Sequence, residues 1–184
     1  MISSKKELYE YLIADKIALK RKRKKPKYTD LIWKFQIALR RCEYYQNCSK
    51  SFFGYMLKYY YKYKLFRLGT KCNFTIPLNV IDKGLSIAHV GPIVINSGAK
   101  IGRNCRIHVG VNIGTAAGED SSAPIIGNDV YIGPGAKLFG RIKIADGIAI
   151  GANAVVNKSF EEQNISIAGV PAKKISDKGS KGLL

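Results

Sequence analysis

Read in blocks of six from residue 95, the chain falls into columns: INSGAK, IGRNCR, IHVGVN and IGTAAG, then, after an interruption, IGNDVY, IGPGAK, LFGRIK, IADGIA, IGANAV and VNKSFE. Ile, Leu or Val opens every block (Ile95, Ile101, Ile107, Ile113, Ile126, Ile132, Leu138, Ile144, Ile150, Val156). Small or β-branched residues fill the fifth column (Ala99, Cys105, Val111, Ala117, Val130, Ala136, Ile142, Ile148, Ala154). Ile81 and Ile87 keep the same phase upstream, after which two extra residues precede Ile95. A helix needs apolar spacing of about 3.6 and a half-buried strand about 2. A period of six suits neither; it suits a short strand followed by a tight corner. Three such units make one triangular coil whose aliphatic residues stack inside on those 18 residues away, with Gly and Asn supplying the positive-φ corners. Units this short bury no face alone, so they must stack as a solenoid.

The rest of the chain differs in character. Of 184 residues, the first 72 hold 19 Lys/Arg against 5 Asp/Glu, a net +14, while the remainder hold 12 against 8, a net +4. Ten of eleven tyrosines lie before residue 64. The apolar spacing of ELYEYLIADKIALK and DLIWKFQIALRRCEYY predicts two amphipathic helices, the second capped by Asp30. Between them runs KRKRKKPK, and FFGYMLKYYYKYKLFRLG follows, mixing Tyr, Phe and Lys. Such a segment suits a packed helix with snorkelling lysines or adhesion to an anionic membrane surface. No recognition motif supports nucleic-acid binding, so no nucleic-acid partner is expected. The chain reads as a basic, Tyr-rich α-helical region over residues 1–70, a coil over 71–175 and a flexible tail over 176–184.

Composition excludes several classes. No apolar run approaches the ~20 residues of a membrane-spanning helix, and the first residues lack the apolar core of a secretory signal. Cys42, Cys48, Cys72 and Cys105 form no CxxC pair, and neither histidine stands beside a cysteine, so no metal is expected. Reduced thiols fit a cytoplasmic protein.

IGRNCRIHVGVNIG, VYIGPGAKLFGRIKIADGIAIGANAVV and the closing IAGVPAKKI resemble the hexapeptide-repeat acyltransferases, and among them the serine acetyltransferase-like group, which includes members associated with surface polysaccharides. The resemblance covers residues 72–175. It implies a mainly β fold, a left-handed parallel β-helix of hexapeptide repeats behind a small N-terminal α-helical region. It further implies a homotrimer and acetyl transfer from acetyl-CoA to a hydroxyl.

Within that resemblance, His89 in HVGPIVI takes the place of the general base, with Pro92 where the pattern has glycine. A hydroxyl is a poor nucleophile, and a base with a near-neutral pKa can remove its proton as it attacks the thioester. By analogy Gly114 and Thr115 supply oxyanion donors. Gly133, Pro134, Gly151 and Ala152, with Ala168, Gly169 and Pro171 of AGVPAKK, line the groove for the pantetheine arm, and Lys173 and Lys174 suit the CoA phosphates. His108, at the second column, is expected to face outward, at solvent or an interface. Between Ile113 and Ile126 the phase slips by seven residues, so GTAAGEDSSAP must leave the coil as a loop. Glu119, Asp120 and Ser122 of that loop are the expected acceptor contacts.

Three departures from the serine enzymes bear on the acceptor. Ala88 stands where they carry an Asp before the base. Ser122 and Ala123, before Pro124, stand where they carry an Arg-His pair for the amino acid's carboxylate. The acid that orients the base in those enzymes would fall near Thr75, leaving Asp82, Glu119 and Asp120 as replacements. A sugar hydroxyl of a surface polysaccharide or its precursor is therefore the expected acceptor, with L-serine as the alternative and a catalytically idle coil serving as a scaffold as a further one. The expected location is the cytoplasm or the inner face of the membrane.

Overall fold

Three stacked aliphatic ladders organise the computed structural model, which describes residues 1–118 and 123–184. On the first face of the coil, strands β1 (Phe74–Thr75), β3 (Ile93–Ile95), β6 (Asn112–Gly114), β9 (Lys137–Phe139) and β12 (Val155–Val156) pair in parallel in that order. On the second lie β4 (Lys100–Ile101), β7 (Ile125–Ile126) and β10 (Lys143–Ile144). On the third, β2 (Ser86–Ile87), β5 (Arg106–Ile107), β8 (Tyr131–Ile132), β11 (Ala149–Ile150) and β13 (Ser166–Gly169) run in parallel, and β14 (Ala172–Ser176) returns antiparallel to β13.

Register explains why the first column had to be aliphatic. Ile87 pairs with Ile107, Ile107 with Ile132, Ile132 with Ile150, and Ile150 with Ile167. Ile95, Ile113, Leu138 and Val156 make the second ladder. Ile81, Ile101, Ile126, Ile144 and Phe160 make the third. All but the partly buried Phe160 are buried, each filling the gap between its neighbours above and below. Partners are 18 residues apart where the repeat is regular, as in Lys137 with Val155. Across the insertion all three faces jump to 25, as in Lys100 with Ile125, Arg106 with Tyr131 and Asn112 with Lys137. The ladders thus continue in register across the seven-residue slip. Ala117, expected inside with its column, is exposed because it already belongs to the insertion.

Helices α1 (Lys5–Ala18), α2 (Leu31–Cys48) and α3 (Phe52–Cys72) precede the coil, and α2 is capped by Asp30, whose side chain accepts from Trp33 N–H. They are not a separate body. The hydrophobic core runs unbroken from Leu19, Trp33, Phe35 and Leu39 through Phe74 into the ladders, and the Phe35 and Phe74 rings meet edge-on at 5.0 Å. A buried ionic cluster joins the two parts. Arg40, fully buried, donates to Asp15 at 2.8 Å and to Glu43 at 3.1 Å. It also donates to the carbonyls of Ile81 at 2.7 Å and Asp82 at 2.8 Å. Asp15 accepts in turn from Gly84 N–H and Leu85 N–H, and Glu43 from Asn79 N–H.

The last residues correct an expectation. Residues 176–184 are not free: Ser180 is buried, its N–H donates to Gly147 O at 2.8 Å, and its hydroxyl donates to Asp129 O. Gly179 lies so close to Gly147 and Asn164 that an added Cβ would sit 2.2 Å from the Gly147 carbonyl oxygen. Backbone polar groups left open at the last coil explain this packing, since a partner for each is worth more than the freedom of the tail.

Arg40→Leu strands Asp15 and Glu43 in the interior, and breaking a buried pair costs roughly 3–5 kcal/mol. Urea unfolding is expected to show a lower midpoint with an unchanged slope. A midpoint equal to that of the parent chain would mean that the cluster contributes nothing.

Candidate active site

One corner of the coil collects most of the expected site. It follows every strand of the third face. His89 lies in the corner after β2, His108 directly after β5, Gly133 and Pro134 after β8, and Gly151 and Ala152 after β11. Ala168 and Gly169 end β13, Pro171 follows a cis peptide bond in the turn to β14, and Lys173 and Lys174 lie in β14 itself. The register of that face stacks these positions one above another.

The glycines of this corner have a structural duty as well. An added Cβ at Gly133 would meet the carbonyl oxygen of Ile150 at 2.7 Å, and one at Gly151 would meet Ala168 Cβ at 2.8 Å. Successive coils touch there through bare backbone. Beside these glycines Pro134 and Ala152 are exposed. Lys173 is exposed and forms no ion pair among the described residues, whereas Lys174 is held by Glu162 at 2.5 Å and Asp177 at 2.6 Å.

The two histidines are neighbours. Their ring centroids are 6.1 Å apart, and the His108 ring lies 5.0 Å from that of Tyr131. His89 is exposed and His108 half-buried. Arg106 Nε–H donates to His108 Nε2 at 3.4 Å. Burial, reinforced by Arg106 and His89, lowers the His108 pKa below the ordinary imidazole value. The expectation that His108 faces outward from the coil agrees with this placement, but its pairing with His89 was not foreseen. The signal was present: β2 pairs with β5 at Ile87 and Ile107, so residues just beyond these two stand side by side.

Gly114 and Thr115 are not at this corner. They end β6 on the first face and open the insertion, one face away from His89 in the same chain. Asp82 does not orient His89. Burial raises its carboxyl pKa, but the Tyr11 hydroxyl and the Lys83 N–H, which bonds it at 2.7 Å, outweigh burial and hold it below the usual range. Thr75, in β1, pairs with Val94. No carboxylate is hydrogen-bonded to His89 among the described residues. Glu119, Asp120 and Ser122 lie outside the described residues. Among the described residues there is no group of metal ligands, and all four cysteines are free, with burial pushing the Cys105 thiol up to about 12.

Comparison with known proteins points one way. The chain is 35% identical over 102 residues to serine acetyltransferase of Staphylococcus epidermidis, a match covering 55% of this chain and 47% of that protein. It is 37% identical over 97 residues to serine acetyltransferase of Helicobacter pylori, covering 52% and 56%. The chain spans about half the length of the curated relatives it matches. Among solved structures, serine acetyltransferase of Brucella abortus in complex with coenzyme A has a TM-score of 0.73 at 25% identity, over 95% of this chain and 70% of that one. Soybean serine acetyltransferase apoenzyme gives 0.72 at 25%, over 94% and 71%. No protein-family model matches. The likeness to these structures supports the expected left-handed sense of the parallel β-helix.

A lowered His108 pKa has a signed consequence. Between the folded value and the ordinary ~6.5 the unfolded chain binds the extra proton, so His108 costs stability as pH falls through that window and nothing above it. Histidine-selective NMR is expected to show His108 titrating below ~6.5. His108→Gln is expected to lessen the fall in Tm between neutral and mildly acid pH; an unchanged fall would show that His108 gives up no stability there.

Proposed function

We propose that this chain is an acetyl-CoA-dependent O-acetyltransferase with His89 as general base. The observation that carries the reading is the shared corner: an exposed histidine heads a column of Gly133–Pro134, Gly151–Ala152 and Ala168, whose bare backbone suits an extended pantetheine arm. In this reading His89 takes the proton of the acceptor hydroxyl as its oxygen attacks the thioester carbonyl. Backbone N–H groups hold the resulting oxyanion. Collapse breaks the C–S bond, His89 returns the proton to the departing sulfur, and an O-acetyl ester and free CoA result. Lys173 is the better placed of the two lysines for a CoA phosphate, since Lys174 is engaged by two carboxylates.

Gly114 and Thr115 stand at a different corner from His89, so we assign their oxyanion role to an adjoining copy in a homotrimer, where the corner of one coil faces that of the next. The site is then complete only in the assembly. Free cysteines, three of them buried, agree with a reducing compartment, and we place the enzyme in the cytoplasm, at the inner face of the membrane.

L-serine is the acceptor favoured by the relatives, all four reported comparisons being with serine acetyltransferases. Serine presents a carboxylate. Arg106, beside His108, is the cation we assign to it in place of the Arg-His pair that this chain lacks. The sugar reading has a narrower basis: Ala88 before the base, and Ala123–Pro124 without a cation before them.

A thiol-release assay with L-serine and a panel of hexoses tests both. His89→Ala is expected to lower hydroxyl-dependent CoA release by roughly 10²–10⁴-fold; unchanged release removes the base assignment. Turnover of serine at low millimolar concentration, lost in Arg106→Gln through a raised KM, supports the amino-acid reading. Turnover of hexoses alone replaces it with the sugar reading.

A further inference from the structure

Helix α3 carries two apolar stripes on opposite sides, and only one of them is covered. Tyr61, Leu68 and Cys72, with half-buried Lys58 and Leu65, recur at intervals of three and four and pack toward the molecule. Half a turn away, Phe52, Met56, Tyr59, Tyr63 and Phe66 recur at the same intervals, and their exposures are 75%, 56%, 64%, 60% and 69%. A soluble surface rarely presents so continuous a row of large apolar groups without a partner. Beside the row stand Lys62, Lys64, Arg67 and Lys71, and there is no Asp or Glu anywhere between residues 44 and 81. None of the α3 cations is paired with a carboxylate among the described residues. Several lie over their own tyrosines instead, as Lys64 does over Tyr60 at 5.7 Å and Arg67 over Tyr63 at 5.8 Å.

A groove of about 550 Å³ opens between α2 and α3, lined by Lys34, Tyr60, Tyr63, Lys64, Arg67 and Lys71. Pro26 also lines it, which brings the KRKRKKPK run to the same side of the molecule.

We infer that the outer face of α3 docks on an anionic phospholipid bilayer, with the aromatic stripe at the acyl boundary and the groove taking a lipid phosphate. The chemistry matches on both counts. Apolar and aromatic side chains on a helix lying in the interface gain by leaving water, and lysines beside them reach back to the headgroups. Among the described residues no helix is long and apolar enough to cross the membrane, so the contact is peripheral. A second copy of the chain fits less well, because two such faces would bring cation against cation with no carboxylate to relieve them. Nucleic acid fits less well too. Bases stack on aromatics set in a groove, which Tyr60 and Tyr63 could offer, but exposed Phe52, Met56 and Phe66 lie outside the groove lining and add apolar area that a polyanion does not cover. The inference does not depend on the acetyl-transfer reading, and its test needs no turnover.

The test is co-flotation of the full chain with vesicles of phosphatidylcholine alone and of phosphatidylcholine with one-third phosphatidylglycerol. Binding is expected only to the second, weakening as salt rises. Lys64→Gln, Arg67→Gln and Lys71→Gln together are expected to weaken it by roughly a hundredfold. Phe52→Ser with Phe66→Ser is expected to abolish it. Both sets leave the covered stripe intact, and unchanged circular dichroism and Tm verify that each variant is folded. Equal affinity for the two vesicles, or no binding by the folded parent chain, overturns the inference. So does displacement from vesicles by a single-stranded oligonucleotide, or an oligomer that dissociates in Phe52→Ser/Phe66→Ser, which would assign the face to nucleic acid or to a second copy.

Discussion

A guanidinium with no exposed surface holds the molecule together. Arg40 is charged, fully buried and bonded on every side: to Asp15 from α1, to Glu43 one turn along its own helix, and to two carbonyls of the first coil. Removing a charge from water is costly unless each of its donors finds a partner. Here the partners come from three parts of the chain that are distant in sequence. The helices and the coil therefore settle their mutual position in one arrangement, because any slip leaves a donor or a carboxylate oxygen without a partner. Asp15 Oδ1, which Arg40 reaches only at 3.3 Å, accepts from Gly84 and Leu85 N–H, five and four residues before His89. The cluster thus also fixes the start of the strand that presents the histidine.

What the sequence discloses depends on how far apart the interacting residues lie. The coil is legible because its rule is local: every sixth residue aliphatic, with permissive residues at the corners. Its ladders follow from that rule with an offset of 18 where the repeat is regular, and even the insertion is visible as a change of phase. The cluster around Arg40 has no such signature, because Asp15, Arg40 and Glu43 look like ordinary charged positions until the chain brings them together. The tail was misread for a related reason. Ser180 is short, polar and near the end of the chain, and only the open carbonyls of Asp129 and Gly147 account for its burial.

The candidate site was legible as a set of residues and not as a geometry. His89 and the small residues Gly133, Pro134, Gly151 and Ala152 are named from the resemblance, one as the base and the others as a groove, and their stacking at one corner appears only with the register of the third face. Their neighbour His108 is expected at solvent or an interface; it is half-buried, against Tyr131 and beside His89. The relation required counting across the two-residue gain between Ile87 and Ile95. The separation of Gly114 and Thr115 from His89 was likewise hidden, because a column position gives the corner only after the faces have been counted.

Both ends of the coil are closed. At the start, α2 lies on the first turn through Phe35, Gln36 and Arg40. At the finish, β14 folds back along β13 and the tail seats Ser180 on the last corners. A stack of identical turns has no intrinsic length, and exposed strand edges at either end would invite further copies to add on. The covered edges, α2 on the first turn and β14 along β13, work against further turns adding there. New material enters in only two ways: as a whole turn inserted between existing ones, or as extra residues between two strands, as between β6 and β7. The first changes the number of stacked corner positions along the third face, and the second leaves their spacing untouched. Variation in what such a chain recognises is thereby directed to the corners, while the distance between them is held by the ladders inside.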